Sequence, residues 1–305
     1  MSYQLLTKLW TKFFNNKDYA ELKYNISLKK KLKNYRETIK PKIIKIHHKI
    51  KSQKSLNFLH SGHIGDLIYS LSLIKTLSKT HQCNFFVEAN KKMNFEYKNH
   101  PSGDVMINDR MINLLLPLLR KQNFLNTVNI YNKEEIDINL NLFRDVPINL
   151  LFHTIRWYSH LTGVPVDIAE KFLDVKKFNN FNNKIVIVRS TRNRNYFINY
   201  NFLRNVKNIV CVGLKEEYEN LKKDIPHLEF YDCKDFLEMA EIINSCKFFI
   251  GNQTFAYSIA EGLKIPRLLE VFPDFPVVFP VGENCYDFYH QVHFEKYFNL
   301  LNNIE

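Results

Sequence analysis

The stretch LNFLHSGHIGDLIYSLSLIKTL, residues 56–77, decides the fold. Residues 56–60 predict a short strand, and residues 65–79 carry leucine and isoleucine at helical spacing. Between strand and helix lie Gly62 and Gly65, in a chain with only 8 glycines among 305 residues. Glycines at such a junction allow a tight turn and let a ligand approach the free N–H groups of the helix start.

The elements around this stretch predict an α/β protein. A strand at 83–89 completes a βαβ unit, which implies a parallel sheet. The rest of the first half carries helical patterns at 112–122 and 149–163 and a strand near 127–131. After an asparagine-rich linker, the pattern starts afresh with strands at 184–190, 208–213, 228–232, 247–252 and 267–272 and helices at 216–225, 235–246 and 257–265. Two such modules indicate paired Rossmann-like domains facing a cleft.

The predicted boundaries follow from these patterns. A basic helical extension occupies 1–54, an N-terminal Rossmann-like domain 55–178, a C-terminal Rossmann-like domain 184–282, and a C-terminal helix 283–305. Since ligands of such sheets meet the carboxyl ends of the strands, the loops after residues 60, 190 and 251 are the expected site.

The excess positive charge lies at one end of the chain. The formal net charge is +12, and residues 1–54 hold 15 Lys+Arg against 3 Asp+Glu, whereas the remaining residues are balanced. We therefore expect no general affinity for nucleic acid. The segment has two main interpretations: an amphipathic helix that meets an anionic membrane surface, or an extension packed on the domain by an apolar stripe. Contact of this segment with nucleic acid is a further alternative. The apolar stripe consists of Leu5, Leu6, Leu9, Phe13 and Phe14.

Cysteine usage and hydropathy indicate the compartment. The five cysteines show neither CxxC spacing nor neighbouring histidine clusters, so we expect buried thiols in a reducing, cytoplasmic environment and no metal site; they are Cys83, Cys211, Cys233, Cys246 and Cys285. We recognise no secretory pattern at the N-terminus and no run near the ~20 apolar residues of a membrane span.

Asp66 has two interpretations. A carboxylate in the first turn of a helix stabilises that helix by ~0.3–1 kcal/mol. The same carboxylate, in a loop at a strand end with His63, is also where a general base facing a cleft would stand. The spacing alone leaves both open.

Two further motifs follow strands of the second half. RSTRNRN, residues 189–195, offers Arg189, Arg192 and Arg194, whose planar guanidinium groups suit phosphate, although a charge run is usually a solvated face. FFIGNQTFAYSIAEGLKIPRLLE, residues 248–270, contains a turn at a helix start, which is a second candidate anion site; its residues are Gly251, Asn252, Gln253 and Thr254.

Other polar residues have weaker patterns. The helix that carries His153, Arg156, Trp157 and His160 presents a polar row that suits the acceptor side of a cleft, or simply a packed helix with satisfied histidines. Glu261 and Glu270 are candidates for contact with a donor ribose, or are surface carboxylates.

Two of these stretches resemble one family. SGHIGDLIYSLSLIKTL is similar to the N-terminal signature of the heptosyltransferase-type glycosyltransferases, a small-residue loop that ends in Gly-Asp and enters a helix. FIGNQTFAYSIAEGLKIP aligns without a gap with that family's second signature, IGNDSGPMHLAAALGVP. The resemblance covers 55 to about 280.

The resemblance implies a GT-B fold and inverting transfer of a sugar from a nucleotide donor without an obligatory metal or other cofactor. By position, Asp66 matches the proposed catalytic base, the arginines of 189–194 the donor phosphate site, and 252–256 the diphosphate-binding helix start. Gly62, His63, Gly65, His153 and Arg156 would then lie on the acceptor side. Where the family has Asp-Ser-Gly-Pro-x-His, this chain has Gln253 to Ser258, which removes a glycine and a histidine and leaves the donor sugar open.

We therefore expect an inverting glycosyltransferase that builds a surface glycan from a nucleotide sugar and a glycan or lipid-linked acceptor, in the cytoplasm or at the inner membrane face. The alternatives are a nucleotide-sugar epimerase of the same fold and a catalytically silent nucleotide-sugar-binding protein.

Overall fold

The computed structural model describes residues 12, 16–93, 102–147 and 151–303, and its strands form two parallel sheets. The strands of the first sheet are β1 (Ser55–His60), β2 (Gln82–Val87), β3 (Thr127–Ile130) and β4 (Ile138–Asn139). Those of the second are β5 (Ile185–Val188), β6 (Ile209–Val212), β7 (Glu229–Tyr231), β8 (Phe248–Asn252), β9 (Arg267–Glu270) and β10 (Cys285–Phe288).

Helices precede and connect these strands. The first half contains α1 (Asn16–Asn34), a π-helical turn (Tyr35–Ile39), α2 (Lys40–Ser52), α3 (Ile64–Ser78), α4 (Asp109–Arg120), a 3₁₀ turn (Leu140–Asp145) and α5 (Thr154–Thr162). The second half contains 3₁₀ turns (Asn179–Phe181 and Asn201–Asn205) and α6 (Lys215–Leu221), α7 (Phe236–Ser245), α8 (Phe255–Leu263) and α9 (Gln291–Asn302).

Both sheets have doubly wound strand orders. The first is β3-β2-β1-β4, and the second is β10-β9-β8-β5-β6-β7. In each, the first strand lies in the interior, and the chain winds to one side of it before it returns to the other side. Ligands of such sheets bind at this switch point, which lies between β1 and β4 in the first half and between β5 and β8 in the second.

Helix α3 is buried on nearly all sides. Ten of its 15 residues are buried, including the polar Ser70 and Ser72. Both hydroxyls donate to carbonyls three residues earlier, at 2.6 and 2.7 Å, so neither polar group is left unsatisfied. The helix packs against α5 and also against α8 of the second half.

The two halves share one core. A continuous cluster of buried apolar residues includes Leu71 of α3, Leu161 of α5 and Ile259 of α8. Gly262 lets the segment that contains Phe172 and Leu173 pack closely against α8, because a Cβ at Gly262 would lie 2.8 Å from side-chain atoms of both residues. The N–H groups of these two residues donate to the Gly262 carbonyl at 2.9 and 3.0 Å.

The N-terminal segment differs from the predicted extension. Residues 39–52 belong to the first half, because Ile39, Ile43 and Ile46 are buried in the shared core. Lys49 on the same helix donates to Asp137 at 2.6 Å. Helix α1 is largely exposed, and the predicted apolar stripe at residues 5–14 lies outside the described residues. Within the described part of the chain, no helix is both long and apolar enough to cross a membrane.

The C-terminal segment also differs from the prediction of a helix over 283–305. Residues 285–288 form β10, which pairs in parallel with β9 and extends the second sheet beyond residue 282. The helix begins only at Gln291. The ring of Phe288 is fully buried and stacks on the ring of Phe294 with centroids 4.0 Å apart, so β10 and α9 pack against each other.

The burial of isoleucines on α2 predicts that shortening a buried side chain there destabilises the protein. We expect Ile43→Ala to lower the free energy of unfolding by about 2–4 kcal/mol, because a buried isoleucine is replaced by a cavity. The adjacent Ile44, 56% exposed, is the matched control, and Ile44→Ala should change stability by less than about 0.5 kcal/mol. Urea unfolding of the two variants measures both values, and equal small effects would show that α2 does not belong to the core.

Candidate active site

The site is built by four loops, each of which follows a strand at a switch point. Residues 61–63 follow β1 and the 3₁₀ turn 140–145 follows β4, while 189–195 follow β5 and 253–254 follow β8. Three of these loops coincide with the predicted motifs. The fourth, after the two-residue strand β4, carries no pattern in the sequence.

Asp66 forms an ion pair that the sequence did not predict. Its Oδ2 accepts from Nη2 of Arg144 at 2.5 Å, and both side chains keep about a quarter of their surface, 22% and 26%. The Arg144 guanidinium also lies over the Phe143 ring, 4.3 Å from its centroid. The pair therefore fixes the orientation of the Asp66 carboxylate at the start of α3.

Gly62 makes room for this pair. A Cβ at Gly62 would lie 2.6 Å from Nη1 and 2.8 Å from Cζ of Arg144, so a side chain there would displace the guanidinium. Neither Gly62 nor Gly65 has a positive φ, so neither position requires glycine for its backbone conformation. Gly62 is needed for close packing and not for backbone conformation.

A buried hydrogen-bond chain holds the start of α3. The Gly62 N–H donates to Nδ1 of His60 at 3.1 Å, so this ring carries its proton on Nε2. That Nε2–H donates to the Tyr158 hydroxyl at 3.1 Å, and the hydroxyl donates to the backbone carbonyl of Asp66 at 2.7 Å. Burial lowers the pKa of His60 well below its usual range, which keeps the chain neutral. His60 and Tyr158 were not predicted as site residues.

His63 lies where the two halves meet. Burial lowers the pKa of its imidazole, Asp66 opposes this shift, and the cations of Arg144 and Arg192 add to it. Arg144 belongs to the first half and Arg192 to the second. Charged groups of both halves therefore act on the pKa of His63, and the expectation that Asp66, His63 and Arg192 form one site stays a prediction.

Arg189 is placed differently from the prediction. It forms a bidentate ion pair with Glu270, with Nε–Oε2 at 2.7 Å and Nη2–Oε1 at 2.9 Å, and its guanidinium lies 4.5 Å above the Tyr200 ring. The side chains of Arg189 and Glu270 are 8% and 0% exposed. An internal carboxylate thus holds the cation that we predicted for the donor phosphates, and Glu270 is equally inaccessible to a donor ribose.

The loop that carries Arg192 and Arg194 is fixed by Asn252. This buried amide accepts from the Ser190 N–H at 3.0 Å and donates to the carbonyls of Ser190 and Arg192 at 3.1 and 2.7 Å. Arg194 donates to the Ser190 carbonyl at 2.8 Å and to the Asn220 side chain at 2.7 Å. Asn252 therefore supports the loop, and Arg192 is the arginine of this loop whose charge reaches His63.

A carboxylate that the sequence analysis missed faces the same loop. Glu217, at the start of α6, is buried, and burial raises its pKa while Arg192 and Arg194 oppose the shift. Its Oε2 accepts from the Leu214 N–H at 3.4 Å.

The turn at residues 251–254 meets the start of α3. A Cβ on Gly65 would lie 3.9 Å from the Cα and 4.0 Å from the N of Phe255, so the first turns of α3 and α8 are in direct contact. Gly251 is tightly enclosed, because a Cβ there would lie 2.6 Å from the Phe249 ring. The Thr254 hydroxyl is buried and has no hydrogen-bond partner among the described residues.

The polar side chains that we predicted on the acceptor side bind other groups. His153 is a buried N-cap: its Nδ1 accepts from the Ile155 N–H at 3.2 Å, and its Nε2–H donates to the Phe279 carbonyl at 3.1 Å. Arg156 is exposed and donates to the Val166 carbonyl. Glu261 is fully buried between the cations of Lys264 and Arg267. None of these side chains is placed in the cleft by its contacts.

The described residues contain no group of three His, Cys, Asp or Glu side chains arranged to hold a metal ion. The expectation of metal-independent and cofactor-independent chemistry stays a prediction.

Two doubly wound parallel halves, with polar loops meeting at their switch points, define a two-domain α/β protein of GT-B architecture. No family model matches the chain, and no curated protein matches it by sequence.

The chain is similar in structure to several solved proteins. The structure of E. coli ADP-heptose lipopolysaccharide heptosyltransferase II is similar to 81% of this chain and 98% of its own, with 12% identity and a TM-score of 0.52. A family 9 glycosyltransferase from Veillonella parvula matches over 83% of this chain and 90% of its own, at 10% identity and a TM-score of 0.48. The structure of E. coli heptosyltransferase WaaC with ADP matches over 81% of this chain and 99% of its own, at 12% identity and a TM-score of 0.47. The first likeness confirms the predicted GT-B fold.

His153 predicts a pH dependence of stability. Burial lowers its pKa to about 4, below about 6.5 in the unfolded chain. Between these values the unfolded state binds more protons, so stability falls as the pH drops from 6.5 toward 4, by up to about 3 kcal/mol. His153→Asn keeps a side chain able to accept from the Ile155 N–H but does not titrate, so this slope should become shallower.

Urea unfolding between pH 4.5 and 7 measures the slope. His160→Asn, an exposed position on the same helix, is the control and should leave it unchanged. A wild-type slope in the His153 variant would contradict the assignment.

Proposed function

We propose that the protein is an inverting glycosyltransferase that moves a sugar from a nucleotide-diphosphate sugar to a glycan or lipid-linked acceptor. The observation that carries this proposal is the contact between the first turn of α3, which bears Asp66, and the first turn of α8. It sets a carboxylate beside a helix start, where N–H groups and the helix dipole favour a phosphate. The charge of Arg192 lowers the pKa of His63, the residue that precedes α3.

The chemistry follows from the roles of these groups. An acceptor hydroxyl attacks the anomeric carbon, a new C–O bond forms with inversion, and the C–O bond to the diphosphate breaks. Asp66 takes the hydroxyl proton as general base, and the nucleoside diphosphate leaves with its electron pair. Arg144 holds the carboxylate in place, while Arg192 and the α8 N-terminus stabilise the charge that develops on the leaving group.

The donor side of this proposal involves the turn at 252–254. Asn252 fixes the loop that carries Arg192, and this turn leads directly into the start of α8. Among the comparison structures, that of E. coli heptosyltransferase WaaC contains ADP. At position 258, where the related signature has histidine, Ser258 is buried and donates to the Phe255 carbonyl. We therefore propose that this turn binds the diphosphate of a nucleotide-sugar donor, and we propose no particular sugar.

We further propose that the protein works on the cytoplasmic side of a membrane and contributes to a surface glycan. The support is the row of exposed lysines on α1 and α2, which suits an anionic surface.

Removing the proposed base should separate chemistry from binding. Asp66→Asn should lower the transfer rate by about 10²–10⁴-fold, because an amide does not accept the hydroxyl proton. Donor binding should stay within about threefold, because the proton is accepted only during reaction. The donor is the nucleotide sugar that stabilises the protein most in a thermal-shift panel of ADP, GDP and UDP sugars.

Asp109→Asn, in the first turn of α4, is the matched control and should keep full transfer activity. Unchanged transfer by the Asp66 variant, or equal loss of transfer and donor binding, would contradict the role of general base.

The two arginines of the loop should differ in effect. Arg192→Gln should weaken donor binding by about 10–100-fold, because a charge-assisted hydrogen bond contributes about 1.5–3 kcal/mol. Arg189→Gln should instead lower the melting temperature, because it leaves Glu270 buried without its cation. Calorimetric titration with the donor and thermal unfolding give the two readouts, with the exposed Arg204→Gln as control. Donor binding that is insensitive to Arg192→Gln would remove it from the site.

A further inference from the structure

Tyr158 of α5 contacts the proposed general base through the protein backbone. The side chain is fully buried, and its hydroxyl donates to the backbone carbonyl of Asp66 at 2.7 Å. The two residues are 92 positions apart in the sequence, so only the fold brings them together.

The hydroxyl of Tyr158 is itself held in one orientation. The Nε2–H of His60 donates to its oxygen at 3.1 Å, and its own proton is then directed to the Asp66 carbonyl. The Gly62 N–H donates to Nδ1 of His60 at 3.1 Å, which fixes the imidazole. Burial raises the pKa of Tyr158 well above its usual range, so the hydroxyl stays protonated and remains a donor. The chain therefore runs from the loop before α3 back to the first turn of α3.

The ring of Tyr158 contacts a second support of the same base. It meets the Phe143 ring edge to face, with centroids 5.6 Å apart. Above Phe143 lies the Arg144 guanidinium, 4.3 Å from the ring centroid, and this cation donates to the Asp66 carboxylate at 2.5 Å. The contacts therefore close a circuit that starts at the hydroxyl of Tyr158 and ends at its ring, with the backbone and the side chain of Asp66 in between.

This circuit lies in the closely packed part of the first half. His60 and Tyr158 are 0% exposed and Phe143 is 4% exposed. Such surroundings leave side chains little freedom to move and make a lost hydrogen bond costly. Because reactions are sensitive to small displacements of the reacting groups, contacts that fix Asp66 on two sides bear on the rate.

A second buried tyrosine on α3 provides the comparison. Tyr69, one turn after the first turn of this helix, is 3% exposed, and its hydroxyl has no hydrogen-bond partner among the described residues. The two tyrosines are equally buried and differ in whether the hydroxyl reaches Asp66.

From this arrangement we propose that Tyr158 is a positioning residue for the reaction: its hydroxyl fixes the backbone of Asp66, and its ring supports the arginine that fixes the carboxylate. His60 orients the hydroxyl. Neither residue takes part in proton transfer, and the effect of both passes through Asp66. The proposal rests on the proposed function, because it requires Asp66 to be the general base.

Amide hydrogen exchange of the full chain tests the positioning without any substrate. Tyr158→Phe removes the hydroxyl and keeps the ring. Exchange in residues 62–70 should become about 2–10-fold faster, because one buried hydrogen bond is lost. Exchange in α9, in the second half, should stay as in the wild type, since the change is local. Tyr69→Phe is the matched control and should leave both segments unchanged.

Release of nucleoside diphosphate from the nucleotide sugar that the thermal-shift panel selects tests the effect on the reaction. Tyr158→Phe should lower kcat by about tenfold, because a slightly displaced base is poorly aligned with the attacking hydroxyl. The donor Kd should change by less than about twofold, since the base acts only during reaction. Phe143→Leu, which removes the ring beneath Arg144, should also lower kcat and leave the donor Kd unchanged. Tyr69→Phe should keep the kcat of the wild type.

A double-mutant cycle separates positioning from general stability. In an Asp66→Asn background, Tyr158→Phe should cause no further loss of kcat, because its effect passes through the missing carboxylate. The same tenfold loss in that background would overturn the proposal. Wild-type exchange and kcat in Tyr158→Phe, or equal losses in Tyr69→Phe, would overturn it as well.

His60→Asn tests the chain at its other end and does not alter Tyr158. Asparagine keeps an acceptor for the Gly62 N–H but is too short to reach the Tyr158 hydroxyl. We expect faster exchange in residues 62–70 and a kcat lowered by a few fold, with the donor Kd unchanged. Wild-type values of exchange and kcat in this variant would refute the role of His60.

The same measurements distinguish this proposal from the proposed function. Full activity of Asp66→Asn would refute the general base, and the positioning role with it. Loss of activity in Asp66→Asn together with full activity in Tyr158→Phe would leave the general base in place and refute the positioning role alone.

Discussion

The burial of α3 between the two halves is the constraint on which the rest of the structure depends. This helix lies against α5 on its own side and against α8 on the other, with ten of its 15 residues buried. Because interiors are closely packed, such a helix has little freedom to shift or rotate. Its first turn therefore meets the first turn of α8 at a defined place, where Gly65 faces the Phe255 backbone. This packing therefore fixes the position of the turn that bears Asp66 relative to the start of α8.

The polar groups of the site are held by other polar groups rather than by the core. Arg144 orients the Asp66 carboxylate, the His60 and Tyr158 pair holds the Asp66 backbone, and Asn252 holds the arginine loop. Most of these partners are buried, so each hydrogen bond is formed in an environment where leaving it unmade is costly. Such supports fix side chains within the tolerance that a reaction needs.

The three arginines after β5 show how neighbours of one kind acquire different tasks. Arg189 pairs with Glu270 inside the second half, Arg194 binds the loop backbone, and the charge of Arg192 lowers the pKa of His63 in the first half. The basic N-terminal segment divides in a similar way. The lysines of α1 lie on a largely exposed helix, while α2 packs Ile43 and Ile46 into the core and keeps Lys42 and Lys45 exposed at the edge of a cavity.

The sequence by itself determined most strands and helices, because apolar periodicity and glycine positions are local properties, but it did not predict β4 or β10. It also located three of the four site loops, since strand ends at a switch point are visible as motifs. Only the tertiary structure decided which side chains form ion pairs and which strands pair. Arg144 follows a strand of two residues with no periodicity, Glu270 reaches Arg189 over a sequence separation of 81, and β10 is a strand only because β9 pairs with it. Ion pairs and edge pairing depend on which segments meet in space, and no local pattern records that.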